Sequence, residues 1–217
     1  MKKEKTLNIV NWILGIVLTC FGVALSTKSN LGLSMIAAPP YIIHVWLRNY
    51  FSWYTQGMSE YVWQAILLIL TCIIVRRFRP KYLLSFLTAV LSGFVLDGIF
   101  FLLGGNGAVE GLALRIPLFA AGMLVTSLGI AFVFRTTMPV QVYELIVMEI
   151  ADRYHLNQDR VKQVNDIITL VVAVALAWIL TRGWNGVGIG TVVITFLNAT
   201  FIALFGKVID RIEKRGK

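Results

Sequence analysis

Gly15-Ile16-Val17-Leu18-Thr19-Cys20-Phe21-Gly22-Val23-Ala24 and Gly122-Met123-Leu124-Val125-Thr126-Ser127-Leu128-Gly129-Ile130-Ala131 decide the reading of this chain, because they match position by position. Each run ends in a cation at the same offset, Lys28 and Arg135. The correspondence resumes downstream. Gln64 opens one apolar run and Gln163 another; Leu96-Asp97 precedes the apolar tail ending at Gly104, and Leu197-Asn198 the one ending at Gly206. The chain therefore reads as two halves, residues 1–106 and 107–217. Many membrane transporters place their substrate site between two such repeats. In each half the paired glycines fall on one helix face, where small residues let helices approach closely.

Composition sets the class. Hydrophobic residues make up 58% of the chain and charged residues 14%, against about 25% charged in an ordinary soluble domain. The mean hydropathy is +0.77. Several apolar stretches approach the ~20 residues that a membrane-spanning helix needs. The first is too long for a signal-peptide core and lacks an A-x-A site, so it is expected to be retained. The net charge of +9 does not point to nucleic acid, because the cations flank apolar segments instead of forming a soluble basic face. Cys20 and Cys72 fall inside apolar runs, which gives neither a disulfide framework nor metal-ligand spacing.

Six spans follow from length and hydropathy: Leu7–Ser26, Glu60–Val75, Tyr82–Leu103, Leu112–Phe134, Val161–Leu180 and Val187–Phe205. Two further apolar segments, 32–47 and 138–151, are shorter. The first contains Pro39-Pro40, which interrupts a helix ladder, and the second carries Glu144 and Glu149. If neither crosses and the N-terminus lies inside, the inner side receives Lys2, Lys3, Lys5, Arg76, Arg77, Arg79, Lys81, Arg135, Arg153, Arg160, Lys162, Lys207, Arg211, Lys214, Arg215 and Lys217. That is 16 of the 20 cations, with Lys28, Arg48, Arg115 and Arg182 outside. Were 32–47 to cross, the Arg76–Lys81 cluster would move outside, against the positive-inside rule. The expected fold is an all-α membrane protein of about six transmembrane helices. They form two inverted three-helix repeats, each with an extra short re-entrant or interfacial helix. Both termini are expected in the cytoplasm, and the chain in the cell (inner or plasma) membrane.

Ionisable groups inside spans are rare and costly, so each is a functional candidate. Asp97 interrupts an apolar run near the outer end of its span, and its repeat partner Asn198 stands near the inner end of the last. The pair could line a path near the midplane, or serve as interhelical hydrogen bonds. Gln64 and Gln163 open equivalent spans. Gln163, Asp166 and Thr169 recur at helical spacing and share a face. Lys28 and Arg135 could hold an anion or reach the headgroups. Glu144 stands where the first half has Ala37, an asymmetry that proton coupling would need; it also suits the polar face of an interfacial helix. Gly186-Val187-Gly188-Ile189-Gly190-Thr191 lacks the strand and lysine of a phosphate loop. No nucleophile–base pair, metal cluster or nucleotide motif appears, so neither an enzyme nor a cofactor is expected.

Gly22-Val23-Ala24-Leu25, Asn30-Leu31-Gly32-Leu33-Ser34 and Gly188-Ile189-Gly190-Thr191 resemble the YczE/YitT-like bacterial integral membrane proteins. The chain departs from that pattern at Ser34-Met35-Ile36-Ala37, where a Ser-Pro-Trp-Asp element is expected. The resemblance implies a multi-span, transport-related protein and names no substrate. The expected function is a small secondary transporter or permease with its site between the repeats. The expected path residues are Asp97, Asn198, Glu144, Asp166, Gln64, Gln163, Lys28 and Arg135. The alternatives are a substrate-binding subunit of a larger transport complex and a non-transporting factor that supports a membrane enzyme or assembly. The partners are the lipid bilayer and a small-molecule or ion substrate, with self-association into a homo-oligomer left open.

Overall fold

The computed structural model describes residues 2–105 and 107–215, and no strand occurs among them. Lys217, one of the cations assigned inside, lies outside the described residues. The helices are α1 (Lys2–Ser29), α2 (Ala38–Arg48), α3 (Gln56–Val75), α4 (Lys81–Leu102), α5 (Leu112–Val133), α6 (Val142–Tyr154), α7 (Gln158–Leu176, continued by a π-helical turn Ala177–Thr181) and α8 (Ile189–Arg215). Six are long and apolar enough to cross a bilayer: Thr6–Ser29, Gln56–Val75, Lys81–Leu102, Leu112–Val133, Arg160–Thr181 and Ile189–Ile212. This is an all-α, multi-pass membrane protein. α2 and α6, with 11 and 13 residues, fall short of the ~20 needed to cross.

Local chemistry sets the helix ends. Pro39 and Pro40 start α2 instead of breaking it, because they occupy its first turn, where a missing N–H costs nothing. α3 begins at Gln56, four residues before the expected boundary at Glu60. Thr55 caps it, its Oγ1 accepting from Met58 N at 3.1 Å. Glu60 and Gln64 therefore sit one and two turns inside a spanning helix. Asn30, Arg76, His155 and Arg182 close helices with positive φ near +50°, the left-handed cap that ends many helices.

The helices pack as two compact units. The first comprises Met1–Ser34, Gly98–Met138 and Gly188–Lys217. Within it α1 and α5 are closely apposed along the repeated glycines. A side chain on Gly22 would overlap Thr126 and the Gly122 carbonyl; one on Gly122 would overlap Ser26 and the Gly22 carbonyl. Gly15 faces Gly129 in the same manner, 2.9 Å separating a built Cβ from the carbonyl oxygen. Pairing 15 with 129 and 22 with 122 makes the two helices antiparallel, and the two contacts exchange with each other when the repeats are exchanged. α8 joins through Phe119, Met123 and Ile194. The segment 30–34 docks on the start of α8: Gly190 N donates to Leu31 O at 2.9 Å, and any side chain on Gly32 would strike Thr191.

The second unit comprises Met35–Asp97 and Pro139–Val187. It holds α2, α3, most of α4, α6 and α7. α6 packs against α3 and α7, and α2 against α3 and α7.

Candidate functional site in the second unit

α3 turns its polar residues inward. Gln56, Ser59, Glu60, Gln64 and Thr71 are buried, while Val62, Ile66, Ile69 and Ile73 are exposed. Gln56, Glu60, Gln64 and Thr71 are spaced by four, four and seven, which is one helix face, with Ser59 beside Glu60. α4 repeats the pattern, with Tyr82, Ser85, Thr88 and Ser92 buried and Leu83, Leu87, Leu91 and Phe94 exposed. In water this arrangement would be inside out. In lipid, which satisfies no hydrogen bonds, polar groups turn toward protein or a water-filled path.

The segment entering α6 lies on both polar faces. Tyr143 OH donates to Glu60 Oε2 at 2.8 Å, and Val142 N donates to Gln64 Oε1 at 3.1 Å. Gln141 Nε2 donates to Ser92 Oγ at 2.8 Å, and Thr88 Oγ1 lies 3.2 Å from Pro139 O. Irregular backbone at membrane depth is tolerated when it is covered in this way. Val142 N is also one of the first-turn amides that no helix satisfies internally.

Glu60 is the centre of the cluster. Its carboxylate is buried, it accepts a hydrogen bond from a phenol, and no cation among the described residues lies within ion-pairing distance. Spare hydrogen-bonding capacity surrounds it. Ser59 Oγ is buried without a partner, and Gln64 Nε2 lies near Glu60 without reaching hydrogen-bond geometry. Burial pushes the Tyr143 hydroxyl well above its ordinary value, and the nearby Glu60 adds to this. Tyr143 therefore stays a proton donor.

A second set of contacts fixes the start of α3. Asp97 accepts from Thr55 Oγ1 at 2.6 Å and from Gly57 N at 2.8 Å. Its negative charge also lies favourably at a helix N-terminus. His44 bonds to the backbone of Tyr54 and Thr55; burial, then the Arg48 charge, lowers it to about 4, which leaves a neutral imidazole at neutral pH.

At the other end of α3, the Arg76–Pro80 turn is clamped to α6. Glu149 accepts from Tyr82 OH at 2.6 Å, pairs with Lys81 Nζ at 2.7 Å and with Arg79 Nη1 at 3.1 Å. Burial pushes this carboxyl up. The Lys81 and Tyr82 hydrogen bonds and the two cations outweigh that effect and hold it below its ordinary value. Between α6 and α7, Glu144 is half-buried. Burial raises it, Lys162 opposes the rise, and Asp166 adds to it. Lys162 pairs with Asp166 at 3.6 Å.

The expected path residues are thus distributed. Gln64 joins the Glu60 cluster, Glu144 and Asp166 come together through Lys162, Asp97 anchors α3, and Gln163 is exposed on α7. The other three belong to the first unit. Asn198 accepts from Ser127 Oγ at 2.7 Å, and Lys28 reaches Gly107 O at 3.4 Å. Arg135 forms a two-pronged pair with Asp210 at 2.6 and 2.9 Å. Glu60 and Tyr143 were not singled out in the sequence. The spacing of Gln56, Glu60 and Gln64 carries the signal once α3 is started at Thr55.

Residues 6–207 match a family of unknown function (DUF6198). The chain belongs to that family. Neither a curated protein nor a solved structure matches it. The match takes in the whole second unit and reaches into all six spanning segments, so the polar interior of the second unit lies within the family's extent.

Proposed function

We propose that this member of the family is a small secondary transporter, in which the polar faces of α3 and α4 line a path for a small solute and Glu60 takes and releases the coupling proton. The observation that carries this reading is the inward polarity of α3 around a buried carboxylate without a cation partner. Acids within spanning segments are rare and costly, which favours a functional role.

Within this proposal the halves are inverted repeats. The reciprocal Gly15–Gly129 and Gly22–Gly122 contacts support it, since antiparallel equivalent helices meet in that way across a two-fold axis. The Glu60–Tyr143 and Gln64–Val142 bonds join the first half to the second. The proposed topology has both termini in the cytoplasm. Its support is the 16-to-4 cation split, together with three loop contacts that each join segments assigned to one side: Arg79 with Glu149, Arg135 with Asp210, and Arg115 with the carbonyls of Ser29 and Asn30.

The test is flux. The protein would be reconstituted into liposomes loaded with a pH-sensitive dye and challenged with classes of small solutes. The proposal expects solute-driven proton movement that Glu60→Gln abolishes without lowering thermal stability. A folded Glu60→Gln protein with wild-type proton movement refutes the assignment of Glu60.

A further inference from the structure

The second unit also carries an open apolar groove of about 610 Å³. Leu67, Leu70 and Ile74 of α3 form one wall, Val164 and Ile168 of α7 the other, and Ile150 of α6 the floor. Both walls belong to spanning segments, so the groove faces hydrocarbon. From Trp63 to Ile74 it follows α3 for about 16 Å at 1.5 Å per residue. That is close to half of a ~30 Å hydrocarbon core, the depth of one leaflet.

The two ends of the groove differ chemically. His155, Asn157 and Arg160 line the end beside Ile74, and all three are exposed. Arg160 carries the positive charge at this end, while Lys162, two residues on, is already paired with Asp166. The walls offer little to a polar ligand. Thr169 Oγ1 donates to its own helix at Asn165 O, 2.7 Å away. Tyr154 OH donates to Ile74 O at 2.8 Å and fixes the charged end against α3.

We propose that this groove binds one anionic phospholipid, its acyl chain lying between α3 and α7 and its phosphate held at Arg160 beside His155 and Asn157. The groove matches one leaflet in length, its walls match a hydrocarbon chain, and its cationic end matches an anionic headgroup. The site is separate from the Glu60 cluster and does not depend on the transport reading.

Native mass spectrometry of the delipidated, detergent-purified protein tests the proposal. Phosphatidylglycerol and phosphatidylcholine of identical chains would be titrated in parallel. Phosphatidylglycerol is expected to bind about fivefold more tightly, equivalent to ~1 kcal/mol for one basic contact. Arg160→Gln should erase that preference, and Val164→Trp should weaken both lipids by filling the groove. Ile168→Phe serves as the second filling variant, and unchanged melting temperatures establish that each variant is folded. Glycerol phosphate, which has no tails, should not compete. Equal binding of the two lipids, a preference that survives Arg160→Gln, unaltered binding in both filled variants, or competition by glycerol phosphate would each overturn the proposal.

Discussion

Replacing Asp97 by alanine should cost about 3–7 kcal/mol, far more than replacing it by asparagine. The two bonds at 2.6 and 2.8 Å from Thr55 Oγ1 and Gly57 N are charge-assisted, and such bonds contribute roughly 1.5–3 kcal/mol each. A carboxylate at the first turn of α3 adds about 0.3–1 kcal/mol through the helix dipole. Asparagine keeps one acceptor for Gly57 N and can reorient its amide toward Thr55, so it should cost ~1 kcal/mol. For a chain of this size each kcal/mol moves the melting temperature by roughly 2–4 °C. Thermal unfolding in detergent should therefore fall by about 10 °C or more for Asp97→Ala and by about 3 °C for Asp97→Asn. A double-mutant cycle with Thr55→Val should show coupling above ~0.5 kcal/mol, the usual mark of residues in contact. If alanine and asparagine prove equally mild, the anchoring role is wrong. If Asp97→Asn is stable but abolishes flux, Asp97 acts in the mechanism as well.

Gly22→Leu and Gly122→Leu should destabilise the protein to a similar extent, by at least the ~1–3 kcal/mol of ordinary overpacking, because each would strike the backbone carbonyl of the other. Gly98→Ala, with open space around it, serves as the control. Widely different effects of the two leucines on melting temperature would remove the reciprocal contact. Acidification should reduce stability in two stages. His44 is lowered to about 4 in the fold, so below its ordinary value of 6.5 the unfolded chain takes the proton first, and stability drops between 6.5 and about 4. Glu149 is held below its ordinary 4.5, so its contribution is full above 4.5 and is lost as pH falls through its lower folded value. Melting curves across pH should flatten over the first range in His44→Gln and over the second in Glu149→Gln; unchanged profiles would contradict those assignments.

The fold was largely legible because hydropathy reports length and burial in lipid directly. The six spans and the two short segments 32–47 and 138–151 stand close to α1–α8. The site was less so. Hydropathy started the second span at Glu60, since Gln56, Ser59 and Glu60 lower the local average, and this hid a carboxylate inside a helix. What moves the start to Gln56 is capping by Thr55 and the Asp97–Gly57 bond. The second of these joins α3 to α4, and no local window contains it. Tyr143 was hidden for a similar reason, because its role appears only where the entry to α6 meets α3. Arg135 and Asp97 were readable as unusual positions, but their partners Asp210 and Gly57 lie far along the chain.

Water access to the buried face of α3 tests the central claim most directly, since it requires no knowledge of the solute. Ser59→Cys would be made in a protein lacking Cys20 and Cys72 and treated in native membranes with a small, charged thiol reagent. The account predicts that Ser59→Cys is labelled although the side chain is buried here, while lipid-facing Val62→Cys is not. Inertness of Ser59→Cys from both sides of the membrane, in a folded protein and across pH 5–8, would contradict a solute path along α3.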